Sequence, residues 1–371
     1  MGTKEDNVLT ESQLVCILIG SMIGIGVLSL PKDVIKISKQ DGWISVLLGS
    51  VYPLYVIFIA NYIRKKHPKE DLLDLNKKIY GRFFGIIFNM IFLIFFLFIG
   101  TEVAAGVNNV LKIYMVHFLN KWNILTLLFL ITAYAAYGGA KTIGRMNEVL
   151  FYSTFAIFLI PLFAVSKGDI LNLKPVLGSG VLTIIKGVKE TATIYSGVEI
   201  LFIIYPFLHT NVNIGKCGLR SIIFITIIYT LFTIVTILYL GIDTTLKFLW
   251  PLITVTESIM IPVINSFRYV FLALWTMTMF KVISIDYYIF SYGLNKLFKK
   301  ISRKNWILIL YPIMIILSSL YGNPTIRRDF IGKVFPVYVT YNVVFITITA
   351  ILVALGKGDN YAKKDENNNN N

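Results

Sequence analysis

The sequence predicts an all-α integral membrane protein in which ten transmembrane helices form a five-plus-five inverted repeat with broken first and sixth spans. Three observations predict it. Of the 371 residues, 56% are hydrophobic and only 15% are charged, against about 25% charged in a typical soluble domain. The charges gather between long apolar runs instead of spreading along them, as in chains that cross a bilayer repeatedly. Two of the runs, at corresponding places in the two halves, carry helix-breaking residues at their centres.

The apolar runs read, in order, as Ser12–Ile37, Gly42–Ile63, Phe84–Val116, Trp122–Tyr137 and Glu148–Val165, then Val181–Phe207, Ser221–Gly241, Phe267–Tyr288, Trp306–Tyr321 and Val334–Leu355. Each approaches the ~20 residues that a span needs. Trp43, Trp122, Trp250 and Trp306 fall at or near run ends, where interfacial aromatics belong, while Trp275 lies inside the eighth run. The two densest basic clusters, Arg64–Arg82 and Lys296–Lys304, fall on the same side as the N-terminus, so both termini are expected in the cytoplasm. The net charge of +15 is then explained by loops that orient helices and meet anionic lipid heads, and no nucleic-acid partner is expected. The polar stretch Met1–Glu11 leads directly into a full-length run, which is expected to act as its own insertion signal. The expected organisation is a cytoplasmic tail over residues 1–10, a membrane domain over 11–355 and a disordered tail over 356–371.

The linkers carry the repeat. Arg64–Phe83 and Ile242–Ser266 are both long, and a shift of five spans maps one onto the other. The same shift maps the first run, with Gly20, Gly24, Gly26 and Pro31, onto the sixth, where Ser196-Gly197 is followed by Glu199. Interrupted spans at matching positions point to an inverted-repeat transporter and to its binding site, because unwound backbone and half-helix ends can grip a small charged ligand. The competing reading makes the three glycines a small-residue face for helix packing.

The stretches "IGIGVLSLP" (Ile23–Pro31), "GGAKTIGRMNE" (Gly138–Glu148) and "YSGVEILFIIYPF" (Tyr195–Phe207), with Trp250-Pro251 and "FLALW" at Phe271–Trp275, resemble the spore germination permeases. These are the membrane-embedded B subunits of nutrient germinant receptors. The resemblance covers about Leu9 to Leu355. It implies the fold of the amino acid–polyamine–organocation transporters, with a pocket between spans 1, 3, 6 and 8. Carried onto this chain, the ligand-binding candidates are Ser21, Met22, Ile23, Gly24, Ile25 and Gly26, then Thr101 and Glu102, then Tyr195, Ser196, Gly197 and Glu199, and Trp275. The implied role is germinant sensing with a small nutrient ligand, often an amino acid. The implied partners are a larger A subunit and a lipoprotein C subunit in the spore inner membrane. The chain departs from the family pattern before "FLALW", reading Asn265-Ser266-Phe267-Arg268-Tyr269 where an acidic-basic-acidic run is common.

Charges inside the spans sharpen the expectation, because a mid-bilayer carboxylate costs about 2.5–3.5 kcal/mol unless it meets a pocket, a partner or water. Glu199 is read either as a ligand contact or as a brace on free backbone N–H groups, and Glu102 as a pocket residue or as bonded to a neighbouring helix. Lys281 is expected to snorkel to the cytoplasmic face. Arg145 and Glu148 flank the fifth span as a loop brace or inner gate. Cys16 and Cys217 stand alone and the histidines sit near span ends, so no metal, disulfide or cofactor is expected. There is no Ser/His/Asp arrangement, phosphate loop or pair of catalytic carboxylates, which argues against an enzyme. Three classes remain open: a receptor subunit, an ion-coupled amino acid transporter, and a channel-like component.

Overall fold

A computed structural model describes residues 8–258 and 267–357. The expected tails therefore lie mostly outside the described residues, as do Asn265 and Ser266. Among the described residues the chain is helical, with one isolated bridge, Leu9 to Leu208, as its only β pairing.

The first span is α1 (Glu11–Met22) and α2 (Leu30–Ser38), separated by a short 3₁₀ turn at Ile25–Leu28. α1 starts at a capping box, in which Thr10 accepts from the Gln13 backbone and Gln13 accepts from that of Thr10. It ends because Gly24 is extended, at φ −88° and ψ −175°. The second span is α3 (Gly42–Gly49) and α4 (Val51–Lys66). The third is the main part of α5 (Leu72–Tyr114), whose opening turns are set off by a kink at Gly81. α6 (Lys121–Tyr137) follows, and then α7 (Ala140–Ser153), which bends by 54° into the 3₁₀ segment Phe155–Lys167.

The second half repeats the order. The sixth span is α8 (Val181–Ala192) and the mixed helix α9 (Val198–Phe207). α10 (Ile214–Lys247) kinks at Gly241 and leads to the short α11 (Pro251–Thr256). α12 (Arg268–Leu297), α13 (Arg303–Leu320) and α14 (Pro324–Ala354) complete the bundle. Six of the described helical stretches are long and apolar enough to cross a membrane, or seven when the bent pair counts as one span. The first of these stretches runs from α2 through α4, and the apolar α1 and α9 of the broken spans and the 17-residue α6 are shorter.

The broken spans lie side by side and run in opposite directions. Val8 and Leu9 donate to the Phe207 carbonyl at 2.8 and 3.0 Å, and His209 donates to that of Leu9 at 3.1 Å. At the far end α2 packs on α8. The long helices α5 and α12 pack against each other beside them. Lys296 near the end of α12 fastens it to the start of α5, reaching Asp71 and Asp74 at 2.5 Å each.

Three expectations need correction. The tenth span begins at Pro324, well before Val334, because Asn323 caps it and proline suits a first turn. The fifth begins at Ala140 and not at Glu148. Lys281 does not snorkel: it is fully buried, its Nζ finds no hydrogen-bond partner among the described residues, and it lies 5.8 Å from the Phe151 ring. Arg268, in the stretch that departs from the family pattern, pairs with Glu257 at 2.5 Å.

The glycines divide between the two readings. Gly20 is a packing position, since a Cβ there would sit 2.7 Å from Asn147 Oδ1. Gly197 is conformational as well: its φ is +110°, and a Cβ would sit 2.2 Å from the Ser21 carbonyl oxygen on the other broken span. A Cβ at Gly26 would meet only Ile194, at 3.4 Å. Gly197→Ala should therefore cost roughly 2–5 kcal/mol from backbone strain and overpacking together, and Gly26→Ala less than about 1 kcal/mol. Thermal unfolding of the two purified variants checks this; equal midpoints would contradict the close approach of spans 1 and 6.

Candidate functional site

A cavity of about 280 Å³ opens where both broken spans interrupt their helices. Span 1 supplies Ser21, Met22, Gly24, Ile25 and Gly26, and span 6 supplies Thr193, Ile194 and Ser196. α5 adds Ile99, Glu102 and Val103, while α12 adds only Val282. The remaining wall is α14, through Arg327, Arg328, Ile331, Gly332, Phe335 and Pro336. Asp33, Lys189 and Glu190 line the end away from the termini, so charges of both signs surround the space.

Two ion pairs tie α14 across this cavity. Arg327 pairs with the Glu102 carboxylate, with both side chains almost fully buried. Its neighbour Arg328 reaches Asp33 on α2 at 2.5 Å, and Asp33 also accepts from Ser29 at 2.9 Å. Adjacent residues on one helix thus hold two different spans, α5 and α2.

The breaks themselves are wired to spans 2 and 7. Tyr229 on α10 donates at 2.6 Å to the Met22 carbonyl, which lies where α1 ends and also accepts from the Gly24 N–H at 3.1 Å. The Gly197 N–H donates to Glu199 Oε2 at 2.7 Å, and the Tyr52 hydroxyl on α4 donates to Glu199 Oε1. Tyr195 donates to the Val46 carbonyl on α3 at 3.0 Å and packs on Tyr229, with ring centres 5.3 Å apart.

Comparison with known proteins gives the arrangement its family. The profile described as "Spore germination protein" matches residues 8–327. The chain belongs to that family. It is 30% identical over 319 residues to spore germination protein YndE of Bacillus subtilis, covering 85% of this chain and 88% of that protein. It is 24% identical over 310 residues to spore germination protein GerQB of Bacillus cereus, covering 83% and 85%. A Na⁺-coupled sialic acid symporter in a substrate-bound outward-open state superposes with a TM-score of 0.63 at 12% identity, covering 93% of this chain and 78% of that one. The nucleobase-cation-symport-1 transporter Mhp1, closed with bromovinylhydantoin bound, gives 0.63 at 11% identity, covering 91% and 80%. The fold is that of these transporters, and the family is one of receptors or transporters rather than enzymes.

Within this family member the cavity brings together Ser21, Met22, Gly24, Ile25, Gly26, Glu102 and Ser196. The other candidates lie elsewhere. Ile23 and Trp275 line a separate small apolar space with Tyr229. Thr101 faces an outer groove and contacts the Tyr321 hydroxyl at 3.1 Å. Tyr195, Gly197 and Glu199 are buried behind the cavity wall as parts of the sixth-span break. Arg145 is exposed and Glu148 half-buried on α7, towards the terminal end. The charged residues that the sequence reading missed are Arg327, Arg328, Asp33, Lys189 and Glu190. For the arginines the signal was present in Asn323-Pro324, which marks a helix start and draws both into the bundle. Asp286 was missed as well; it is 2% exposed, packs beside Gly100, and its Oδ2 finds no hydrogen-bond partner among the described residues.

Two outcomes follow for the buried acids. Glu102→Gln leaves Arg327 buried without its counter-charge and should cost about 3–5 kcal/mol, with Glu102→Gln/Arg327→Met recovering much of it; thermal unfolding of single and double variants reads the recovery. Glu199→Gln keeps an acceptor for the Gly197 N–H and should cost no more than about 1.5 kcal/mol. Glu199→Leu orphans both Gly197 and Tyr52 and should cost roughly 2–5 kcal/mol. Equal losses for Gln and Leu would show that charge, not hydrogen bonding, is what the turn requires.

Proposed function

We propose that this chain is a germinant-sensing subunit of a spore nutrient receptor, which binds a small nutrient of the amino acid class in the cavity at the two breaks and so triggers germination. The observation that carries the reading is the cavity itself: broken spans, a volume of about 280 Å³ and lining charges of both signs. That volume lies just below the ~300–1,000 Å³ of sites for drug-sized ligands. A zwitterion suits such a lining. Its carboxylate is matched by Arg327, Arg328 and the unwound first span, and its ammonium by Asp33, Glu102 and Glu190. Spans 1, 3, 6 and 8 all contribute, but the weight falls on span 10 in place of span 8.

The names of the relatives support germination as the process. The reading includes assembly with an A subunit and a lipoprotein C subunit in the spore inner membrane, with both termini cytoplasmic; the basic clusters near the terminal end support the orientation. The second reading, an ion-coupled amino acid transporter, is favoured by the overall likeness to cation-coupled symporters.

Calorimetric titration of the purified chain with an amino acid panel, beside uptake into vesicles holding the chain alone, tests the two. One panel member should bind saturably, and Arg328→Gln should weaken it by about 1.5–3 kcal/mol, the range for a hydrogen bond to a charged group. No concentrative uptake is expected. Gradient-driven accumulation would favour the transporter, and binding indifferent to Arg328→Gln would remove the cavity from the argument.

A further inference from the structure

A second cavity, separate from the first and of about 780 Å³, lies at the terminal end, between the last turns of α4 and the connection from α9 to α10. Three basic side chains line it, Arg64, Lys65 and Lys69, and among the described residues no acidic one does. Arg64 is held in place by donating to the Val212 carbonyl at 2.6 Å and to the His209 carbonyl at 3.2 Å. A guanidinium has five N–H donors, so donors remain beyond those two bonds. Lys65 and Lys69 are exposed, with their ammonium groups open to a ligand.

The surroundings select the ligand. Just above the cavity α4 and α10 pack side by side, Ile57 against Gly218 and Asn61 beside Gly215. Both helices then present apolar side chains outward: Phe58 is 71% exposed, and Leu219 and Ile223 about half exposed. Phe58 precedes Lys65 by two helical turns, so the two share one face of α4, an apolar ring at hydrocarbon depth and an ammonium at the interface. A soluble anion or an acidic peptide would use the cations alone, whereas a phospholipid held by the same cations continues along that apolar strip. A lipid uses both.

We propose that this cavity binds the phosphate headgroup of an anionic phospholipid, with the acyl chains lying along Phe58, Leu219 and Ile223. Arg64 provides the fixed donor, and Lys65 and Lys69 close over the phosphate from the open side. Diffuse attraction of basic loops to an anionic surface needs no cavity and no fixed arginine. Here both are present.

The test is native mass spectrometry of the full chain in detergent with phosphatidylglycerol, phosphatidylcholine or soluble glycerol 3-phosphate. Lys65→Gln/Lys69→Gln is compared with Lys299→Gln/Lys300→Gln, which removes two exposed charges just beyond α12 at the same end. One phosphatidylglycerol should bind at least about tenfold more tightly than phosphatidylcholine. The first variant should abolish that preference and the second should keep it. Equal loss in both variants, retention in the first, or glycerol 3-phosphate binding as tightly as the lipid would overturn the proposal. So would an acidic peptide that binds more tightly than the lipid. All four substituted lysines are exposed, so neither variant disturbs the core.

Discussion

In hydrocarbon no water is available to satisfy a backbone group, so a helix can be interrupted at mid-membrane only where something else takes up the freed N–H and C=O. Everything at the centre of this molecule depends on that constraint. Met22 and Gly197 mark the two interruptions: Tyr229 of span 7 serves the Met22 carbonyl, while the Gly197 N–H is met within its own span by Glu199, which Tyr52 of span 2 steadies. Spans 2 and 7 therefore stabilise the very segments that shape the cavity. Glu199 is spent on this work, which is why a charge lying beside the sixth-span break is absent from the cavity wall.

The cavity's charges answer to the same low dielectric. Arg327 and Glu102 are tolerable at their depth because they face each other, and leaving either alone would be far worse than having neither. Any ligand that draws one of them must offer its own charge in exchange. Arg328 and Asp33 form a second pair one residue along α14, more exposed and so weaker. On the proposed reading, a ligand in the cavity would act on the position of α14 through charge, without contacting most of that helix.

Much of this was legible in the sequence, and the failures have physical causes. The ten runs and the two breaks follow from hydropathy and glycine placement, because a bilayer leaves little freedom in where apolar residues go. Glycine could be read as a break but not sorted: Gly20 and Gly197 are both forced by neighbours, Asn147 and Ser21, that are far away in sequence. Hydropathy also misplaced charge. Arg327 and Arg328 look like loop residues until their partners Glu102 and Asp33 are known, and those partners lie on other spans. Trp275 was plausible as a ligand contact because it sits inside a span, but which way a side chain faces within a bundle is set by neighbours that the linear pattern does not give. Lys281 likewise had a free route to the interface on paper and is enclosed in the bundle.

The join between the start of span 1 and the end of span 6 has a different character. Val8 and Leu9 bond to Phe207, and His209 bonds to Leu9, through main chain alone. The bonds themselves do not depend on side-chain identity, although Leu9, Phe207 and Leu208 beside them are buried in the core. Imino acid chemistry would break the bonds directly: proline at position 8, 9 or 209 lacks the donor and would open a stitch. The two halves of the molecule are basted together here by backbone thread, the donors and acceptors that every residue but proline carries.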